Sequence, residues 1–241
     1  MTHQVNGSAD LSDKIVASKP LLIGITGKIG SGKSTACAYL TDNHSFVEYM
    51  FAKPLKDIAV ILGFESNKVF GTQEEKLQIN DFWGISAREF LQVFGTEICR
   101  DFLPKALPNM QFNNSTLWVR LFEKFYLNNR DKNIIISDVR FQDEVDIIKK
   151  YGGIIVKIER NAISPPTANS LPAESSSPAE SSPPTTLGHT MHKSELGIDA
   201  IHPHFIVENT ESILTLHMKL SKVIKVITTK FNISDNETMI L

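Results

Sequence analysis

Short, almost wholly apolar runs recur along the chain, separated by longer stretches in which apolar residues return every three or four positions. The runs are residues 21–26, residues 134–136 leading into Ser137 and Asp138, residues 154–158 and residues 204–207. Apolar residues on consecutive positions predict strands buried on both faces of a sheet. Residues 46–51 predict one more short strand. The helical period predicts helices over 34–43, over 56–62 with Pro54 at the start and Gly63 at the close, and over 118–127. Ser86 and Glu89 form a capping pair ahead of Phe90, Leu91, Val93 and Phe94, with a further helical turn carrying Ile98 and Phe102. Val145, Ile147 and Ile148 mark another helix that ends at Gly152-Gly153, and residues 211–227 a closing amphipathic one. Residues 65–83 show no clear period. Strands alternating with helices predict an open, parallel α/β sheet.

Composition changes this picture in one place. Residues 164–186 are nearly all Pro, Ser, Ala, Thr and Glu, a mixture that cannot bury a core and predicts disorder or an extended excursion. The 241 residues therefore predict one α/β domain interrupted late, between about residues 161 and 188. Residues 1–19 predict a flexible leader and residues 231–241 a tail. A formal net charge of −2 gives no global cationic field, so no nucleic-acid partner is expected. No run approaches the ~18 apolar residues of a membrane span, so no membrane partner is expected either. Cys37 and Cys99 are too few for a disulfide framework, which predicts a reducing, cytoplasmic setting.

The chemistry starts where the first strand ends. Gly27, Gly32, Lys33 and Ser34 fit the phosphate-loop spacing G-x-x-x-x-G-K-[ST]. Glycines let successive N–H groups turn inward around a phosphate, and the following helix adds its unpaired N–H groups and dipole. Gly27, Gly30, Ser31, Gly32, Lys33, Ser34 and Thr35 are the expected nucleotide-binding set. Lys33 brings a cation to the phosphates, and the Ser34 hydroxyl can ligate Mg²⁺. Asp138, ending a buried strand, has the form of the partner carboxylate for that metal, the favoured reading over a cap on the next helix, although it could do both. Phosphate oxygens are gripped best by guanidinium and ammonium groups. Lys53, Lys56, Arg88, Arg100, Arg120, Arg140 and Arg160 are the candidates outside the loop. Arg140, two residues past Asp138, stands at the sheet's ligand edge. Trp118 reads as core, although Arg120 nearby leaves room for stacking on a base. His192, Ser194 and Glu195 fit a helix cap as well as a substrate contact.

The chain resembles the bacteriophage-type deoxynucleoside monophosphate kinases. The resemblance rests on the phosphate loop, Ala52-Lys53-Pro54-Leu55-Lys56, Arg88 with Phe94-Gly95-Thr96-Glu97, and Trp118-Val119. It continues through Asp138-Val139-Arg140-Phe141-Gln142-Asp143-Glu144, Gly152-Gly153 to Arg160, His192-Lys193-Ser194-Glu195, and Ile206-Val207-Glu208-Asn209-Thr210. It implies a P-loop NTPase fold of the nucleoside monophosphate kinase kind over residues 20–230, with a helical acceptor-binding region at about 64–130 and the insert near the lid. It implies transfer of a phosphoryl group from ATP, with Mg²⁺, to a deoxynucleoside 5′-monophosphate for DNA precursor supply, and a viral source. The implied catalytic residues are Lys33, Arg140, Asp138 and Arg160, the last near the lid. Lys56, Arg88, Arg100, Trp118 and Glu144 would bind the acceptor, and Asn209 would lie near the donor adenine. A homodimer is left open. The loop also looks like the opening of dephospho-coenzyme A kinases, which the later segments fit less well; a P-loop kinase of another small phosphorylated metabolite shares the D-x-R and S-E features more loosely. A nucleotide-holding regulatory protein is the alternative of a different class; a guanine-specific one is disfavoured, because Asn67-Lys68 is followed by Val69-Phe70.

Overall fold

A computed structural model of the chain describes residues 19–112, 116–160, 197–229 and 238–241. The insert and the segment around His192, Ser194 and Glu195 lie outside the described residues, as does most of the leader. Six parallel strands form one sheet in the order β2-β3-β1-β4-β5-β6. They are β1 (Leu22–Thr26), β2 (Val47–Tyr49), β3 (Ile134–Ile136), β4 (Ile154–Glu159), β5 (Phe205–Glu208) and β6 (Met239–Ile240). The order places β1 between β3 and β4, so the loop after β1 opens at the middle of the sheet's carboxyl edge.

Side-chain alternation assigns the two faces. Leu22, Ile134, Ile136 and Ile155 point to one core with Leu55, Trp118, Phe122, Val145 and Ile148. Ile23, Ile25, Ile135, Val156 and Ile158 point to the other with Ala36, Leu40, Leu216 and Leu220. The first face is covered by α2 (Lys53–Ile61), α7 (Leu117–Leu127) and α8 (Gln142–Lys150), the second by α1 (Lys33–His44) and α9 (Ile213–Thr229). Burial on both faces is the reason the strands read as unbroken apolar runs.

Three expectations change. Residues 238–241 are not a tail: β6 pairs with β5, with Met239 N–H donating to His204 O at 2.9 Å and Leu241 N–H to Ile206 O at 2.9 Å. The aperiodic stretch 65–83 holds two one-turn helices, α3 (Ser66–Phe70) and α4 (Gln73–Leu77), too short to display a period. After α5 (Ala87–Gln92) the chain continues into a π-helix, Val93–Phe102, and a final turn α6 (Leu103–Ala106). Trp118 Nε1–H donates to the Gly95 carbonyl of that π-helix at 2.8 Å. Ser86 does cap α5, its hydroxyl accepting from Glu89 N–H.

Candidate active site

The loop between β1 and α1 takes the backbone its glycines allow. Gly27, Gly30 and Gly32 have φ of 140°, 77° and 102°, values L-residues rarely adopt. Space is restricted as well: a Cβ on Gly27 would lie 2.3 Å from Ile158 O, and one on Gly32 2.3 Å from Asn209 Nδ2. No side chain caps α1 at Gly32, so its first N–H groups are left for an anion. Lys33 Nζ donates to Gly27 O and Lys28 O, both at 2.7 Å, which folds the ammonium over the loop. Ser31 Oγ is buried with no hydrogen-bond partner among the described residues. This orphaned hydroxyl and the open helix end fit a bound phosphate. Asn209, expected beside the adenine, instead holds the loop: Nδ2–H donates to Ser31 O at 2.8 Å, while its N–H donates to Glu159 O at 2.7 Å.

Asp138 caps a helix, but not the next one. Its Oδ1 accepts from Phe51 N–H and its Oδ2 from Ala52 N–H, both at 2.8 Å, at the entry to α2. Burial raises its pKa, opposed by those two N–H groups, Arg140 and Lys56. The entry to α8 is served by Glu144, whose Oε2 accepts from Arg140 N–H at 2.8 Å and Phe141 N–H at 3.2 Å. Burial pushes the Glu144 carboxyl up to about 8, with Arg100 pulling it back.

Arg100 departs from its expected role as a free acceptor ligand. Its guanidinium donates to both oxygens of Asp143 and to Glu144 Oε1, each at 2.6 Å, and lies 3.8 Å from the Phe141 ring centroid. Thr116 Oγ1–H donates to the same Asp143 at 2.9 Å. Arg100 therefore ties the π-helix to α8. Trp118 is 4% exposed with its indole N–H committed to Gly95, so it forms core and cleft wall rather than a stacking platform. Arg120 pairs with Glu123.

A single cleft of about 390 Å³ takes its lining from both halves of the molecule. Gly30, Lys33 and Ser34 of the phosphate-loop region line it, as do Asp138 and Arg140 beyond β3. Lys56 of α2, Gln73 and Lys76 of α4, and Arg88 of α5 line it too. Arg100, Trp118 and Glu144 contribute wall. Gly27, Ser31, Gly32, Thr35 and Asn209 shape the loop without lining the cleft, and Arg160 is exposed beyond β4, outside it. Arg88 donates to Gln73 Oε1, and its Nε is buried without a partner among the described residues. Lys56 Nζ sits 5.3 Å over the Phe70 ring. Sequence reading missed Gln73 and Lys76; the signal was Thr72-x-x-Glu75, a capping box that the structure forms in full at the start of α4. No group of three or more His, Cys, Asp or Glu able to hold a metal occurs among the described residues. Mg²⁺ on a nucleotide needs only one or two protein ligands besides phosphate and water, and Ser34 and Asp138 both line the cleft.

The chain is similar to known kinases. The family model for deoxynucleotide monophosphate kinases matches residues 61–170, from α2 through α4, α5 and β3 to just past β4. A protein of Acanthamoeba polyphaga mimivirus, provisionally named a deoxynucleotide monophosphate kinase, is 42% identical over 147 residues, covering 60% of this chain and 76% of that protein. Among solved structures, a sugar kinase from a Janibacter species aligns over 87% of this chain and 97% of its own at 13% identity, with a TM-score of 0.41. Dephospho-CoA kinase from Campylobacter jejuni aligns over 87% and 98% at 16% identity, with a TM-score of 0.39. Likenesses at that level leave the sheet order and the phosphate loop as the ground for the fold class. With the family model falling on the cleft-lining half and the viral relative matched over three quarters of its length, this chain belongs to the deoxynucleotide monophosphate kinase family.

Proposed function

We propose that this kinase transfers the γ-phosphoryl group of ATP to the 5′-phosphate of a deoxynucleoside monophosphate, yielding the diphosphate for DNA precursor synthesis. The observation that carries the reading is that one cleft is lined both by the phosphate loop and by Lys56, Arg88 and Arg140. A protein that only holds nucleotide needs the first set; a phosphorylated second substrate needs the second.

In this reading the loop N–H groups and Lys33 hold the donor phosphates. Arg140 and Lys33 neutralise charge on the moving phosphoryl group, and Arg88 and Lys56 hold the acceptor phosphate in line. Ser34 and Asp138 would hold Mg²⁺, which supplies charge neutralisation at the donor phosphates when bound. Asp138, accepting from Phe51 and Ala52, also fixes the entry of α2 and so the position of Lys56. The proposed setting is the cytoplasm, that of an infected host if the chain is viral.

The test is ADP release from ATP and Mg²⁺ with a panel of dNMPs, NMPs and dephospho-coenzyme A. The expected result is turnover that depends on a dNMP. Turnover with dephospho-coenzyme A alone would reassign the acceptor, and nucleotide binding without turnover on any acceptor would favour a regulatory role.

A further inference from the structure

We propose that Lys76, on the one-turn helix α4, is a direct ligand of the acceptor's phosphate, completing with Lys56 and Arg88 a three-element cationic grip. The proposal rests on the acceptor reading above and adds to it a residue on an element of its own.

Position comes first. Gln73 and Lys76 are one helical turn apart, so they share a face of α4, and both line the cleft. That face is fixed from two sides. Thr72 and Glu75 close the capping box, with Thr72 N–H donating to Glu75 Oε2 at 2.6 Å. Gln73 accepts from Arg88 of α5. Lys76 therefore enters the cleft beside Arg88 on a braced element.

Charge comes second. Among the described residues no carboxylate lies within ion-pair distance of Lys76. The charged groups acting on it are Lys56 from α2, Arg88 from α5, Arg140 beyond β3, and Glu75 of its own helix. Glu75 is engaged by Thr72. Three carboxylates line the cleft: Glu48, Asp138 and Glu144. Asp138 accepts from Phe51 and Ala52, and Glu144 from Arg100, Arg140 and Phe141. Lys56, Lys76 and Arg88 are thus gathered at one cleft, and among the described residues none of the three is ion-paired with a carboxylate. Burial lowers the Lys76 pKa, and Lys56, Arg88 and Arg140 lower it further. Gathering like charges is unfavourable in the free protein and becomes favourable when a dianion enters. A phosphate monoester is such a dianion.

The test separates Lys76 from the acceptor reading. Lys76→Met is expected to raise KM for the dNMP roughly ten- to a hundredfold, the worth of one charge-assisted contact, with KM for ATP unchanged and kcat within a few-fold. Lys76→Arg is expected to restore most of the loss near neutral pH. It should also change the pH profile. In the wild type the ammonium gives up its proton at lower pH than an ordinary lysine, so KM for the dNMP climbs on the alkaline side. A guanidinium stays charged, so the climb disappears in Lys76→Arg. An unchanged KM in Lys76→Met, or an alkaline climb retained in Lys76→Arg, overturns the proposal. If no dNMP is turned over by the wild type, the acceptor reading fails, and Lys76 is judged by inorganic phosphate. With a non-hydrolysable ATP analogue on the phosphate loop, phosphate affinity measured by ³¹P NMR should fall tenfold or more in Lys76→Met; equal affinity in both proteins overturns the assignment.

Discussion

Lys33 and Asn209 act on the same loop from opposite directions, one as a charge and one as a support. With its ammonium folded over Gly27 O and Lys28 O, Lys33 is already placed above the loop that would hold the donor phosphates. Lys33→Ala should lower kcat by about 10²–10³-fold, the scale of losing one preorganised transition-state contact, with an unchanged circular-dichroism spectrum. Near-normal kcat would remove the loop from the chemistry. Asn209→Ala should act differently. It strips the Ser31 carbonyl of its donor and opens space against Gly32. The expected cost is about 1 kcal/mol of stability and a higher KM for ATP with the dNMP KM unchanged; a shift confined to the dNMP would contradict it. The glycine and lysine spacing of the loop was legible because one local backbone imposes it. The partner of Asn209 was not, because it depends on β5 lying next to β4, a fact of sheet order.

At the scale of elements, the acceptor half is held to the sheet by a polar clasp. The π-helix contributes Arg100, α8 contributes Asp143 and Glu144, and the residue before α7 contributes Thr116. Next to it, Gly95 packs so tightly that a Cβ would stand 2.4 Å from Leu55 Cδ2, which seats the π-helix on α2. None of this was legible. A π-helix shifts the period away from 3.6, and an arginine reads the same whether it meets a carboxylate or a phosphate. Arg100→Met takes the guanidinium donor away from Asp143 and from Glu144, which is 2% exposed. With its raised pKa the Glu144 carboxyl takes up a proton rather than standing as a bare charge, so the expected loss is about 1.5–3 kcal/mol. Its pH dependence follows from the carboxyl. Burial lifts the folded-state value of Glu144 above its ordinary 4.5, to about 8 with Arg100 present, so this group's contribution to stability is fully present below 4.5 and is lost as pH rises through the folded value. Removing Arg100 raises that value further and deepens the loss. Thermal melts of wild type and variant should therefore differ more at pH 8 than at pH 5.5; a gap independent of pH would mean that Glu144 does not feel Arg100.

For the whole molecule, the sheet order decides what each edge can do. Central β1 carries the loop, and its neighbours β3 and β4 lead to Asp138 and to the ground under Gly27, where a Cβ would meet Ile158 O. These strands were legible from apolar runs alone, since burial on both faces leaves no other sequence. The outer edge was not: β6 is two residues long, and its pairing with β5 comes from a short run that sequence cannot tell from a tail. Its backbone bonds nevertheless cover the edge of the strand that leads to Asn209. Met239 and Leu241 pack against the second core, Glu208 N–H donates to Leu241 O at 3.1 Å, and Thr238 Oγ1–H to Pro203 O at 2.6 Å. Removing residues 238–241 deletes these contacts together with those of His204 and Ile206. At roughly 0.5–1.5 kcal/mol net for each of these four hydrogen bonds, the loss is about 2–6 kcal/mol, which lowers the melting temperature by about 2–4 °C per kcal/mol in a chain of this size. The bared β5 edge should also favour association of the truncated chain, read by light scattering. Because β5 leads directly into Asn209, the truncation should raise KM for ATP as Asn209→Ala does. A truncated chain that melts lower yet keeps its KM for ATP would show that the edge strand supports the fold without reaching the phosphate loop.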